Sequence, residues 1–104
     1  MIDVQSLSRH ARVEIAEIET WIHLAWLHPA GEPGRWLFAE VDVARVRMIA
    51  ELRTLRIDEE AMPVVLSLLD QLYATRRDLR TVLDAVEQAA PPDVRTAVAS
   101  RLAG

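Results

Sequence analysis

The chain has 104 residues, of which 51% are hydrophobic and 27% charged, with no cysteine and a formal net charge of −4. A chain of this length can bury a sufficient core as one domain, and the lack of cysteine excludes disulfides, thiol catalysis and cysteine-based metal sites. No apolar run approaches the ~20 residues of a membrane-spanning helix, and the N-terminus carries no secretory signal pattern. We therefore expect a cytoplasmic protein with no membrane partner.

Charge is unevenly distributed along the chain. Residues 1–34 hold five acidic residues against two arginines, residues 35–57 carry a net charge of +2, and residues 58–104 carry −3. Proteins that bind DNA by neutralising phosphates usually present a basic face. This distribution therefore argues against DNA as a partner.

The first elements are predicted to be helices. Leu7 and Ala11 mark a short helix over residues 6–11, which needs tertiary support. A second helix follows and ends at Pro29, because proline restrains the residue before it. Its core-facing side is predicted from three- and four-residue spacing. The residues on that side are Ile15, Ile18, Ile22 and Trp26.

The middle of the chain is predicted to be a loop, a brief extended run and a helix. The HPAGEPG run is rich in turn-forming residues, and Trp36 to Phe38 suit a small hairpin or wing. A helix from about Glu40 to Leu55 then begins with acidic residues, which suit the positive end of the helix dipole. Its buried face is predicted to contain Val43, Val46, Ile49 and Ala50.

Asp58 is a predicted helix N-cap, with Glu59 and Glu60 in the turn behind it. Pro63 leaves two alternatives, because proline is tolerated in a first helical turn and costly beyond it. Either a helix beginning at Asp58 is kinked at Pro63, or a short turn comes first and the long helix starts near Met62. The cost of an interior proline favours the second alternative.

The longest periodic pattern predicts a helix over residues 62–89, roughly 42 Å long at 1.5 Å per residue. Apolar residues recur in it at alternating spacings of four and three, as in a heptad repeat, with one interruption at Arg76. Either this stripe packs within the chain, or two copies pair through it in antiparallel fashion. The dimer interface would then contain Leu69, Leu72, Arg76, Leu79, Leu83 and Val86. After Pro91 and Pro92, a final short helix is marked by Val94, Val98 and Leu102.

The sequence contains no pattern that predicts catalysis. No Gly-rich phosphate loop, nucleophile elbow or Ser/His/Asp arrangement is present. His23 and His28 are five residues apart, off the spacing that aligns two metal ligands on a helix, and His10 is far from both. We expect neither an enzyme nor a metal or other cofactor.

The order helix, turn, helix, wing, helix and long helix resembles the MerR type of winged helix-turn-helix. Where that family has Thr-Leu-Arg-Tyr-Tyr on its reading helix, this chain has EIETW at residues 17–21, and where the wing has Gly-Tyr-Arg-x-Tyr it has GRWLF at residues 34–38. The family's Asp-Val-x-x-Leu-x-x-Ile corresponds to DVARVRMI at residues 42–49. The DNA-contacting threonine and arginine are replaced by Glu17 and Glu19, and carboxylates repel phosphates.

Within this fold, the chain is similar to the CbpM family of chaperone modulatory proteins over about residues 5–88. The similarity rests on size, on the Trp-x-Phe wing at residues 36–38, and on the stretch LRTLRIDEEAMPVVLSLLDQL. The positions that match in that stretch are Leu52, Arg53, Asp58, Pro63, Leu66, Leu69 and Asp70. This resemblance implies binding to the J-domain of a DnaJ- or CbpA-like co-chaperone, which restrains its stimulation of Hsp70.

J-domains present a basic helix, for which an acidic, partly apolar surface can compete. The candidate partner-binding residues are Glu14, Glu17, Glu19, Trp21, Trp36, Asp58, Glu59 and Glu60. Each has a structural alternative, since charged helix residues are often only solvated, acidic residues cap helices, and Trp21 and Trp36 can be either core or exposed anchors. The alternative function is a MerR-like transcriptional regulator, for which Arg9, Arg12, Arg35, Arg45 and Arg47 would line the face beside the wing.

We therefore predict an all-α protein. Residues 1–57 form a MerR-like winged helix-turn-helix with a minimal β wing. Residues 58–104 add a long amphipathic dimerisation helix and a short terminal helix within one structural domain.

Overall fold

The computed structural model describes residues 1–104 and confirms the all-helical class. Its five helices are α1 (Val4–Ala11), α2 (Ile15–His23), α3 (Glu40–Thr54), α4 (Met62–Ala89) and α5 (Pro92–Ala103). The contacts divide the chain into two compact units, Met1–Leu66 and Ser67–Gly104. The boundary lies inside α4 and not after residue 57, because Met62 and Leu66 are buried in the core of the first unit. No helix combines the length and apolarity needed to cross a membrane.

The start of α4 confirms the second alternative for Pro63. Asp58 Oδ1 accepts a hydrogen bond of 2.8 Å from the Ala61 backbone N–H, which closes a turn before the helix begins at Met62. Pro63 is therefore the second residue of α4, where a backbone N–H has no partner within the helix, so its absence costs no helical hydrogen bond.

The predicted extent of α2 is wrong at its end. The helix stops at His23, so Trp26 lies outside it, although its side chain is buried as predicted. Ala25 adopts a left-handed φ of 62°, and the Trp26 N–H donates to the Trp21 carbonyl at 2.9 Å. This is a Schellman cap, in which the residue after the left-handed position is commonly apolar and folds back on the helix. Trp26 is buried for that reason and not by helical periodicity.

The same cap recurs at the end of each helix in the first unit. Arg12 has a φ of 58° and Arg56 a φ of 63°, so three non-glycine residues occupy left-handed positions. The residues that follow them, Val13 and Ile57, donate backbone N–H groups to carbonyls five residues earlier and contribute to the core. The caps therefore terminate the helices and also place apolar side chains.

The segment between α2 and α3 contains two isolated antiparallel bridges and no strand. Ala30 and Leu37 exchange hydrogen bonds of 2.9 and 3.0 Å, and Phe38 pairs likewise with Ile2. Gly31 begins the loop inside the first bridge with a φ of 93°, and a Cβ there would lie 2.5 Å from the Arg35 carbonyl oxygen. The first bridge thus closes a tight loop over residues 30–37.

The core of the first unit lies among α1, α2, α3 and the first turns of α4. Seven side chains are less than 2% exposed, and they come from every segment of the unit: Leu7, Ile18, Leu27, Phe38, Val46, Ile49 and Met62. Arg45 of α3 is partly buried and its Nε donates to the Trp26 carbonyl. This bond ties α3 to the chain that leaves α2.

The second unit has no fully buried side chain. Every hydrophobic residue of the chain that is less than 9% exposed lies at or before Leu66. Leu83 and Val86 of α4 line an apolar groove of about 570 Å³ together with Val98 and Leu102 of α5. The terminal helix is therefore present as predicted and covers only part of α4.

Candidate protein-binding cleft

A cleft of about 270 Å³ lies where the end of α2 meets the end of α3 and the turn before α4. Its lining includes three carboxylates, of Glu17, Asp58 and Glu59, and the side chain of Trp21. Arg53, from the last turn of α3, is the one cation that lines it. The cleft thus has an excess of two negative charges beside an aromatic ring.

Arg53 is held by two neighbours in this cleft. Its Nη1 lies 3.0 Å from Glu17 Oε1, and its Cζ lies 5.8 Å from the centroid of the Trp21 ring. The side chains of Arg53 and Glu17 are 47% and 39% exposed, so water weakens this ion pair. Glu17 is therefore an ion-paired carboxylate on the surface and not a bare one.

The structure resolves the two alternatives for Trp21. The residue is only 3% exposed, because it follows Ile18 by three positions on α2 and faces the same core. The alternative of Trp21 as an exposed anchor is therefore wrong, and its side chain forms part of the cleft wall instead. Trp36 is partly buried in the loop before α3 and does not line the cleft.

Glu17 and Glu19 do not share a face of α2. Residues two positions apart on a helix point to nearly opposite sides, and only Glu17 lines the cleft. Glu14 occupies the N-cap position of α2 without a side-chain capping bond, and both Glu14 and Glu19 are exposed. Neither of these two carboxylates lies in the cleft.

Two of the three acidic residues at positions 58–60 line the cleft. Asp58 and Glu59 line the cleft, whereas Glu60 is exposed outside it. Asp58 also caps the turn through Oδ1, which leaves its second oxygen for another donor. The cleft therefore unites one carboxylate of the first predicted cluster with two of the second.

Arg53 was not assigned to the site by sequence reasoning. It lies far along the chain from Glu17, and no local spacing connects the two residues. Its only sequence signal was its place in the stretch that resembles the CbpM family. Thr20, one helical turn after Glu17, also lines the cleft and was likewise not assigned.

The predicted dimer stripe on α4 is partly exposed and partly covered. Leu72 and Leu79 are 45% and 47% exposed, and Arg76 between them is exposed. Leu69, Leu83 and Val86 are partly buried, and the last two face the groove beside α5. Two further exposed residues, Leu68 at 60% and Val82 at 58%, belong to the stripe and were not predicted.

No three His, Asp or Glu side chains lie close enough together to hold a metal ion. Comparison with protein-family models, with curated proteins and with solved structures finds no match to this chain. The case for a function therefore depends on the residues and their geometry.

Proposed function

We propose that this protein is a cytoplasmic chaperone modulator of MerR-like winged helix-turn-helix type, which binds the J-domain of a DnaJ- or CbpA-like co-chaperone and restrains its stimulation of Hsp70. The observation that carries the proposal is the cleft, which Glu17, Asp58 and Glu59 line together with Trp21. A basic helix is the complement of such a surface, since carboxylates attract its cations and the ring accepts a guanidinium or ammonium on its face.

Exposed apolar residues accompany the cleft. Leu55 lies in the turn between Arg53 and Asp58 and is 72% exposed, and Leu24, at the end of α2, is 38% exposed. Interfaces with proteins combine a few apolar anchors with charged residues at the rim. The proposed surface has both components within short chain distances of the cleft.

The proposal is tested by calorimetric titration of the protein with a purified J-domain. Glu17→Gln with Glu59→Gln removes two cleft carboxylates and is expected to weaken binding roughly tenfold, at about 0.7 kcal/mol per exposed pair. The matched control is Glu14→Gln with Glu19→Gln, which removes the same charge outside the cleft and should change affinity less than twofold. Circular dichroism checks that both variants keep the wild-type helix content.

Equal weakening in the two double variants would reject the cleft as the binding site, and no binding by wild type would reject the function. An Hsp70 ATPase assay with the co-chaperone measures the functional consequence, for which we expect less stimulation when the wild-type protein is added. Duplex DNA in place of the J-domain tests the alternative function, which a salt-dependent affinity would support. Of the five arginines considered for DNA binding, Arg45 is already engaged within the fold, where its Nε donates to the Trp26 carbonyl.

The proposed modulator is a homodimer that pairs through α4. The second unit, Ser67–Gly104, is shorter than the ~40 residues below which a fold usually needs cross-links, metal or oligomerisation, and it buries no side chain fully. A second copy supplies the missing apolar contacts.

The exposed stripe is nearly symmetric about its centre, as such pairing requires. Leu68 and Val82 lie seven residues on either side of Thr75, and Leu72 and Leu79 lie three residues before it and four residues after it. A twofold interface brings one patch against an identical copy of itself. In an antiparallel pair centred near Thr75, apolar residues of the two copies therefore meet along the stripe.

A further inference from the structure

The cleft already contains a guanidinium, which distinguishes it from a simple group of acidic side chains. Arg53 lies with its Cζ 5.8 Å from the Trp21 ring centroid and its Nη1 3.0 Å from Glu17 Oε1. An aromatic face together with a carboxylate is the arrangement by which proteins bind arginine, through stacking and charge-assisted hydrogen bonds. The seat formed by Trp21 and Glu17 is thus occupied by a residue of the same chain.

We infer that Arg53 is an internal, displaceable occupant of this seat, and that an arginine side chain of the partner replaces it on binding. The inference rests on the proposed function and specifies the chemistry of its site. Binding then includes an exchange of one guanidinium for another at Trp21 and Glu17, and Arg53 lowers the affinity of the free protein for its partner.

The remaining carboxylates of the cleft favour the exchange of Arg53 for an arginine of the partner. Asp58 and Glu59 line the same cleft, and Glu59 is exposed and makes no ion pair. With Arg53 in place, the cleft still carries a net charge of −2, so a second cation is attracted to it. An arginine arriving from solvent enters a cleft lined by Glu17 and two further carboxylates, whereas Arg53 pairs with Glu17 alone.

Displacing Arg53 also costs little free energy. Both members of the internal pair are more than a third exposed, and exposed ion pairs are among the weakest interactions in a folded protein. Arginine side chains are long and flexible, so Arg53 can leave the ring without movement of the α3 backbone. Arginine is preferred over lysine in the seat because its planar group stacks on the indole ring and donates in a fork.

The decisive experiment compares Arg53→Gln with Arg56→Gln in calorimetric titrations with the purified J-domain. Both variants remove one positive charge from neighbouring exposed positions, but Arg56 does not line the cleft. We expect Arg53→Gln to bind about fivefold more tightly than wild type, from the loss of one ion pair and one cation–π contact. Arg56→Gln should stay within twofold of wild type.

Equal affinities for the two variants would overturn the inference, as would weaker binding by Arg53→Gln, which would make Arg53 a contact of the partner. A second readout does not require the J-domain. The indole N–H resonance of Trp21 is followed by NMR while N-acetyl-arginine amide is added, with the citrulline analogue as a neutral control of the same shape.

We expect a saturable, arginine-specific shift at lower ligand concentration in Arg53→Gln than in wild type. Equal responses to arginine and citrulline would reject the seat whatever the J-domain does. If the arginine-specific shift is present and the J-domain does not bind, the seat stands and the proposed partner is wrong.

Discussion

Replacing Gly31 by alanine is expected to destabilise the first unit strongly, whereas the same change at Gly34 is mild. Both glycines have a left-handed φ, 93° at Gly31 and 82° at Gly34. They differ in the space around them. A Cβ on Gly31 would lie 2.5 Å from the Arg35 carbonyl oxygen, and a Cβ on Gly34 has no heavy atom within 4 Å.

The magnitudes follow from the backbone conformation that the two glycines share and from the space in which they differ. A left-handed φ costs a non-glycine residue about 1–2 kcal/mol, of which about 0.4–1 kcal/mol is offset because alanine stiffens the unfolded chain. Gly34→Ala should therefore lose about 1 kcal/mol. Gly31→Ala must also move the Arg35 carbonyl, which opens the bridge between Ala30 and Leu37 with its two hydrogen bonds. At about 1 kcal/mol for each bond, its total loss is about 3 kcal/mol.

Thermal unfolding followed by circular dichroism measures the difference. For a domain of this size about 1 kcal/mol corresponds to a Tm change of about 4–8 °C, so we expect a decrease of about 5 °C for Gly34→Ala and about 15 °C for Gly31→Ala. Equal decreases for the two variants would show that backbone conformation alone accounts for the cost. The close approach of the Arg35 carbonyl would then be refuted.

Two further predictions concern association and pH. Leu72→Glu with Leu79→Glu should convert the dimer to a monomer in analytical ultracentrifugation and keep the helix content, because both side chains lie on the exposed stripe. The control Val41→Glu, on α3, should leave the dimer intact. A wild-type protein that is monomeric at all concentrations would contradict the pairing. Asp3 caps α1, and the hydrogen bond that it accepts from the Ser6 N–H lowers the pKa of its carboxyl. The ionised carboxylate therefore stabilises the fold at pH values above the ordinary aspartate pKa, and this stabilisation is lost as the pH falls through the lowered pKa. Asp3→Asn keeps a capping oxygen but cannot ionise. Its free energy of unfolding, measured by urea titration, should be lower than that of wild type at neutral pH and equal to it in acid. A difference in free energy that does not change with pH would contradict this role of Asp3.

The helices that could be predicted best from sequence are those bounded by residues with strong backbone constraints. Asp42 accepts a hydrogen bond from the Ala39 N–H at the start of α3, Asp58 caps a turn before Met62, and Pro91 and Pro92 separate α4 from α5. In each case one residue type acts locally and independently of tertiary contacts. The bounds of α4 are therefore those expected from the pattern alone.

The end of α2 could not be predicted because its terminating residue gives no local signal. Ala25 is a good helix former, and Trp26 fits the helical period, yet Ala25 adopts a left-handed conformation. The energy that favours this cap comes from burying Trp26 and from the bond that Arg45, far along the chain, donates to the Trp26 carbonyl. Neither contribution is visible in a single segment.

The candidate cleft was predictable in its ingredients and not in its arrangement. Acidic residues and Trp21 were identified from their types, but the choice of Glu17 over Glu19 depends on which side of α2 faces the end of α3. The contact between Glu17 and Arg53 joins residues on different helices. Such pairings follow from the packing of α2 against its neighbours, which sequence spacing does not encode.

The three non-glycine residues in left-handed caps make the fold less stable than glycine would at the same positions. Glycine has no Cβ penalty at such positions, so Arg12→Gly and Ala25→Gly should each add roughly 0.5–1 kcal/mol without altering the fold. A background that carries both changes leaves Arg53, Arg56 and the cleft intact. It would give the destabilising and charge-neutralising variants additional stability, so that loss of binding can be separated from loss of folding.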